Sequence, residues 1–276
     1  MAERLVAALC GAVAVAVSAL FAWVLADLLH QGLPELSLGF LLEAPRDAGR
    51  AGGIAPVIVA TLLILLVCLA ASLPIGLGTA VLLAEVSRGR NRFARAVRAS
   101  LDVLAGVPSI VFGLFGNAMF SLWLGLGFSI LSGGLTLACM VLPVLIRSCE
   151  QGLRAVPHDY RQAAAALGLS WGSTLRLVIL PSAAQGLAVG LVLGLGRALA
   201  ETAALLFTSG YVDRMPSSLL DSGRALSVHI YDLAMNVPGG EARACATAVV
   251  LVALLLLCNG LTMLLATRWQ GSTAGR

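Results

Sequence analysis

The chain has no lysine: all 18 of its basic residues are arginine. A GxxxxGK[ST] phosphate loop needs a lysine to reach the nucleotide phosphates, and no such string occurs, so ATP hydrolysis by that route must come from another protein. Charge of either sign is scarce. Charged residues make up 12% of the sequence and hydrophobic residues 59%, whereas soluble domains carry about 25% charge. That excludes a soluble globular chain and leaves an integral membrane protein. Basic patches interleaved with aromatics are missing too, so the net charge of +4 is explained by membrane topology, not by nucleic acid. His30, His158 and His229 are far apart, and no HExxH occurs. Cys10, Cys68, Cys139, Cys149, Cys245 and Cys258 share no metal or redox spacing, so they read as small packing residues and no metal site is expected. The apolar runs offer no Ser/His or paired-carboxylate constellation, which weighs against an intramembrane enzyme.

What the chain has in abundance is long uncharged runs, and a bilayer helix needs about 20 mostly apolar residues. Leu5–Ala26 is uncharged over 22 residues. That exceeds the roughly 7–15-residue core of a signal peptide, so it is expected to be a retained first span. Residues 28–50 read as a loop. Ala51–Ala84 is 34 residues long, too long for one straight span. Gly52, Gly53 and Pro56 mark its loop-like entrance, and Pro74, Gly76 and Gly78 interrupt its second half, which fits a helix facing the bundle interior. The 44 uncharged residues Val103–Ile146 must make two spans with a turn near Leu124–Gly134. Pro108 can kink the first, and Gly113 and Gly116 allow close helix contact. Ser182–Phe207 and Ala244–Thr267 complete six. Residues 1–53 are then a first span and outer loop, 54–268 the main transmembrane domain, and 269–276 a short polar tail.

Arginine placement orients the spans, because short arginine-rich loops stay in the cytoplasm. Segment 85–102 holds Arg88, Arg90, Arg92, Arg95 and Arg98 and reads as an inner loop. With both termini inside, twelve arginines lie on the cytoplasmic side and five outside. The acids of the outer loop Gly210–Arg243, Asp213, Asp221, Asp232 and Glu241, are most simply solvated charges.

One polar stretch, Glu150–Pro181, carries an ordered pattern. Pro157 stops the entering helix and Asp159 can cap the next. A short helix then runs through Tyr160, Arg161, Gln162, Ala163, Ala164, Ala165, Ala166 and Leu167, and Gly168 ends it in a left-handed conformation. Ser170 can cap a second helix from Trp171 to about Ile179, which Pro181 stops. A face of alanines lets another protein's backbone approach closely; it also suits a plain inter-helix loop.

The fifth span carries Arg197 and Glu201, four residues apart and so on one helix face. An arginine at a span centre costs about 2.5–3.5 kcal/mol, and the glutamate is of the same order. The span's Leu, Val and Phe residues return about 3–6 kcal/mol in total. The sum is near zero, so the charged face must meet protein or a water-filled path. Two readings stay open: a structural ion pair, and a guanidinium that helps an anion across.

The spacing Gln162-Ala163-Ala164, Gly168, Val178, Leu180-Pro181 is similar to the EAA loop of ABC importer permeases, with Gln162 where that family often has Glu. The string Val107-Pro108-Ser109-Ile110-Val111-Phe112-Gly113-Leu114-Phe115-Gly116 resembles one in phosphate importer permeases. Gly196-Arg197-Ala198-Leu199-Ala200-Glu201-Thr202-Ala203-Ala204-Leu205-Leu206-Phe207-Thr208 closely resembles the GRAxxETAPLLFT string of the PstA family, with Ala204 in place of Pro. Ser227–Tyr231 and Pro238–Glu241 continue the likeness. The resemblance implies an all-α membrane protein with the six-helix type I importer permease fold. It implies a transporter subunit, not an enzyme, with no cofactor of its own and ATP used by a partner. The partners it implies are a homologous second permease (PstC-like), an ATPase dimer (PstB-like) and a periplasmic phosphate-binding protein (PstS-like) at the bacterial inner membrane. The loop at Pro157, Gln162, Ala163, Ala164, Gly168, Leu180 and Pro181 would dock into the ATPase, and Arg197, Glu201 and Thr202 would lie by the translocation path. The same architecture could serve another oxyanion, molybdate or sulfate, and a channel is the remote alternative.

Overall fold

The computed structural model describes residues 2–87 and 91–274; Arg88, Arg90 and Arg276 lie outside the described residues. In chain order the helices are α1 Ala2–Gly32, α2 Leu38–Leu42, α3 Ala55–Val81, α4 Arg92–Ala105, α5 Ser109–Gly116, α6 Ile130–Arg154, α7 His158–Ala166, α8 Trp171–Thr174, α9 Leu180–Ser182, α10 Ala184–Ala200, α11 Ala203–Leu206, α12 Leu226–Met235 and α13 Glu241–Ala274. Wider π turns extend α3 over Leu82–Val86, extend α5 over Asn117–Trp123 and join α8 to α9 over Leu175–Ile179. A two-residue antiparallel pair, Pro45–Arg46 with Ala51–Gly52, closes the loop before α3.

Four helices are long and apolar enough to cross a bilayer unbroken: Glu3–Glu35, Ala55–Val86, Ile130–Arg154 and Glu241–Trp269. Two bent pairs bring the number to six if each counts as one span: Arg92–Ala105 with Ser109–Trp123, bent by 102°, and Trp171–Ser182 with Ala184–Ala200, bent by 68°. Helix α6 is the hub. Two-thirds of its apolar window is buried (67%), against none of α1's, and it packs along both α3 and α10. Close approach depends on missing side chains. Gly152 of α6 and Gly186 of α10 face each other so tightly that a Cβ on Gly186 would sit 2.5 Å from the Gly152 Cα. Helix α1 meets α13 near its own end, where a Cβ on Gly32 would lie 2.8 Å from the Cys245 backbone.

Several expectations are corrected. Helix α3 runs unbroken through Pro74, with Gly76 packed under Leu145, because a neighbouring helix supports a proline-bearing turn inside a bundle. Segment 85–102 is mostly helix α4, whose Ala94 and Leu101 give it a buried side. Pro108 does more than kink a span: it stands outside α5 in extended backbone, at the 102° bend. The next turn is confined to residues 124–129. Ser132, Gly133 and Gly134 belong to α6, because Ser129 already caps that helix by accepting from the Ser132 N–H at 3.1 Å. At the far end α13 continues to Ala274, so the tail begins as helix.

Gly186→Leu should force α6 and α10 apart and cost about 1–3 kcal/mol by overpacking. Thermal unfolding of the purified chain reads this, with Gly172→Ala, where a Cβ meets nothing within 4 Å, expected to change little.

Candidate functional site

The elbow between α6 and α10 is built by local chemistry. Pro157, in extended backbone, ends the preceding segment, and α7 starts at once at His158. Asp159 sits in the first turn, where its charge suits the helix dipole, but no side chain caps this helix; the sequence-based cap is corrected. Gly168 ends it with φ +70°. Its N–H reaches the Ala165 carbonyl at 3.0 Å, and the Leu169 N–H reaches Ala164 at 3.1 Å. Ser170 then accepts from the Ser173 N–H at 3.3 Å. Pro181 does not stop the second helix. The π turn over Leu175–Ile179 carries the chain past the missing donor and the ring's clash with the carbonyl four residues back, so the bend falls at Ala183.

Ala164 of α7 is buried, whereas Gln162, Ala163, Ala165, Ala166, Leu167 and Gly168 are exposed, as is Trp171. A groove of about 750 Å³ runs beneath the helix, lined by residues that include Ala155, Tyr160, Ala163, Leu167, Leu177 and Gln185.

Sequence reasoning missed what holds α7 in place. Arg161 grips Glu85 with both arms of its fork, Nε to Oε2 at 3.1 Å and Nη2 to Oε1 at 2.5 Å. The same guanidinium donates to the carbonyls of Leu153 (3.1 Å) in the last turn of α6 and of Val156 (2.7 Å) just beyond it. A cation there also faces the negative end of the helix dipole. Both side chains are largely buried, 17% and 8% exposed, and Glu85 holds the arginine's pKa above its ordinary value. Beside this clamp, Glu150 binds Arg98 at 2.8 Å and Arg154 at 2.9 Å. Both arginines also donate to the Leu83 carbonyl in the π turn, and Arg147 pairs with Asp102. The one available signal was that Glu85 is the only acid between Asp47 and Asp102.

Arg197 and Glu201 do not share a helix face. Helix α10 stops at Ala200, and Glu201 is extended, with φ −78° and ψ 126°. The Glu201 carboxylate accepts from the Ala204 N–H at 3.1 Å, and its carbonyl from Ser227 Oγ at 2.6 Å. Glu201 thus tethers the start of α11 and ties it to α12. Among the described residues no ion pair joins it to Arg197, which is half-buried near the end of α10. The break forms without a proline at 204: the Ala204 N–H is what Glu201 binds, and Gly113 of α5 packs so close that a Cβ there would meet the Ala204 Cα at 2.9 Å. Gly116 lies equally tightly against Thr136 of α6. Thr202 sits in the break itself.

Residues 72–271 match the family described as "Binding-protein-dependent transport system inner membrane component". The chain belongs to that family. It is 31% identical to the probable ABC transporter permease protein YqgI of Bacillus subtilis, over 98% of this chain and 95% of that protein. It is 36% identical to phosphate transport system permease protein PstA 1 of Mycobacterium tuberculosis, over 79% of the chain and 73% of that protein. With PstA 2 of Mycobacterium bovis it shares 31% identity over 72% of the chain, spanning 64% of that protein's length. Among solved structures, the methionine ABC transporter MetNI in its inward-facing form superposes with a TM-score of 0.58 at 17% identity, over 78% of the chain and 96% of that one; this likeness concerns the fold alone. The chain is accordingly a multi-pass membrane protein, the permease subunit of an ABC importer.

At the end of the permease opposite the elbow, three of the acids expected to be solvated, Asp213, Asp221 and Asp232, have partners, whereas Glu241 is exposed. Arg224 bonds Asp232 at 2.9 Å, lies 3.9 Å from Asp213 and donates to the Tyr211 carbonyl at 2.8 Å. Asp221 accepts from the Ser217 and Ser218 N–H groups, at 2.7 and 3.0 Å. The Ser217 hydroxyl, donating at 2.8 Å, and then these two N–H groups lower its pKa. His229 is fully buried next to Arg224, Nδ1 at 3.3 Å. Burial, reinforced by the Arg224 charge, pushes its pKa down to about 4 from 6.5.

Two predictions follow the two ends. Arg161→Ala leaves a buried carboxylate unpaired and should cost about 3 kcal/mol, read by thermal unfolding. Adding Glu85→Ala should cost less than the two single changes together. At the other end the unfolded chain binds the His229 proton more readily than the folded one, so stability is complete above pH 6.5. As pH falls toward 4 it should decline by about 1.4 kcal/mol per unit at most. A pH series of melting curves should show this slope flattened in His229→Asn.

Proposed function

We propose that this chain is a phosphate permease subunit of an ATP-driven importer in a bacterial inner membrane. In this reading it pairs with a homologous permease, receives phosphate from a periplasmic binding protein and couples to a separate ATPase dimer through residues 150–181. The elbow end and both termini face the cytoplasm, in keeping with the arginine bias. The observation that carries the coupling role is the construction of α7: its root is clamped to α3 and α6 through Arg161, while Gln162, Ala163, Ala166 and Leu167 are offered outward. A push on that surface is delivered to two spans at once. Small exposed side chains let a partner's backbone come close, and Gln162 supplies hydrogen bonds without charge.

Phosphate as substrate is supported by the 196–208 string and by the relatives that carry the name PstA. Arg197 adds chemistry. It is half-buried at the edge of a broken span and, among the described residues, in no ion pair, and its planar fork of donors matches tetrahedral oxyanions. The same fork suits sulfate or molybdate, so substrate choice is tested by comparing ATP hydrolysis by the reconstituted complex, with the matching binding proteins, across the three anions. Stimulation by phosphate alone is expected; a response to another anion in its place would reassign the substrate.

Two substitutions probe the mechanism. Gly168→Val puts a β-branched residue at φ +70°, at a cost of about 1–2 kcal/mol. It should weaken retention of the ATPase on affinity-tagged permease while insertion is unchanged. Arg197→Ala should abolish phosphate uptake. Because Glu201 serves α11 and not Arg197, adding Glu201→Ala should not restore it.

A further inference from the structure

Helix α4 has three distinct sides. Ala94 and Leu101 are buried against the bundle, and Arg98 turns inward to Glu150 and the Leu83 carbonyl. A second side carries Arg92 and Arg95, both exposed; among the described residues neither has a hydrogen-bond or ion-pair partner. The third side is apolar yet uncovered: Phe93 and Leu104, three turns apart on one stripe, are 57% and 41% exposed, and Val103, in line with Arg92 at its edge, is 71% exposed.

The axis of α4 is turned 102° from the span Ser109–Trp123, so it runs across the end of the bundle, not through the membrane. The link from Arg98 to Leu83 sets its depth at the end of the second span. The 15 residues Ser109–Trp123 reach only about 22 Å, against a hydrocarbon core of about 30 Å, which draws the start of that span toward the lipid boundary. A helix facing only water would not leave that apolar side bare, and one crossing the bilayer would not carry two unpaired arginines.

We propose that α4 is an interfacial helix that binds anionic phospholipid. Phe93 and Leu104 enter the boundary between headgroups and acyl chains, Val103 lies at the border of the two sides, and Arg92 and Arg95 hold lipid phosphates on the polar flank. The assignment rests on the membrane fold alone and does not depend on the transported substrate.

The test uses the full chain in nanodiscs of phosphatidylethanolamine mixed with phosphatidylglycerol, with native mass spectrometry reading the ratio of the two lipids retained. At about fivefold per arginine, the R92Q/R95Q double variant should lower the phosphatidylglycerol preference by about 25-fold, and R92K/R95K should keep most of it. An unchanged ratio in R92Q/R95Q would overturn the proposal. In a second measurement, Phe93→Trp in bilayers with bromine-labelled acyl chains should show fluorescence quenching in excess of the parent chain. No excess would mean that this face meets water or a partner permease, and the assignment would fail.

Discussion

One guanidinium joins the elbow to the bundle. Arg161 is held by Glu85 at the end of the second span and by carbonyls in and just beyond the last turn of α6, so three segments share one cation. An alanine-rich helix of nine residues has little stability of its own in water and buries almost nothing. Its position is therefore set by this clamp and by the turns at Pro157 and Gly168. Glu150, Arg98, Arg154 and the Leu83 carbonyl extend the same end into a network of ion pairs around the buried Glu150 carboxylate. Buried charges are costly unless paired and hydrogen-bonded, so the carboxylates of Glu85 and Glu150 hold their arginine partners in place. On the proposed reading, these linked contacts are what pass a displacement of α7 to the spans.

The rest of the bundle is made of broken elements as much as of straight ones. The π turns at Leu82–Val86 and Leu175–Ile179, the bends at Pro108 and Ala183, and the gap at Glu201–Thr202 all free backbone groups at or near membrane depth. Such breaks persist where neighbours satisfy what they free. Leu83 finds two arginines, Glu201 takes the Ala204 N–H, and Ser227 takes the Glu201 carbonyl. Glycines at 113, 116, 152 and 186 let the backbones approach closely enough for this to work.

The sequence exposed whatever is local. The long uncharged runs marked four unbroken spans and, where each bent pair counts as one, the remaining two, since length and charge largely decide what can cross a bilayer. Gly168 and Ser170 marked the elbow's turns because left-handed backbone and N-caps are set by one or two residues. The family was legible from its strings, and the family match at residues 72–271 agrees with it. Illegible were the interactions between distant positions: Glu85 and Arg161, or Arg98 and Glu150, lie far apart in the chain and nothing in either neighbourhood announces the other. The relation of Arg197 to Glu201 was misread for a different reason. Helical spacing holds only while the helix does, and the chain leaves it at Glu201. Pro181 failed likewise as a stop, because a wider turn can carry a proline.

On the proposed function, the measurement closest to the central claim is the ratio of phosphate taken up to ATP hydrolysed by the assembled importer in proteoliposomes, with Arg161→Ala compared against the parent. If the clamp transmits the ATPase stroke, the variant continues to hydrolyse ATP while the ratio collapses. A variant that folds, hydrolyses ATP and keeps the parent's ratio would contradict the account.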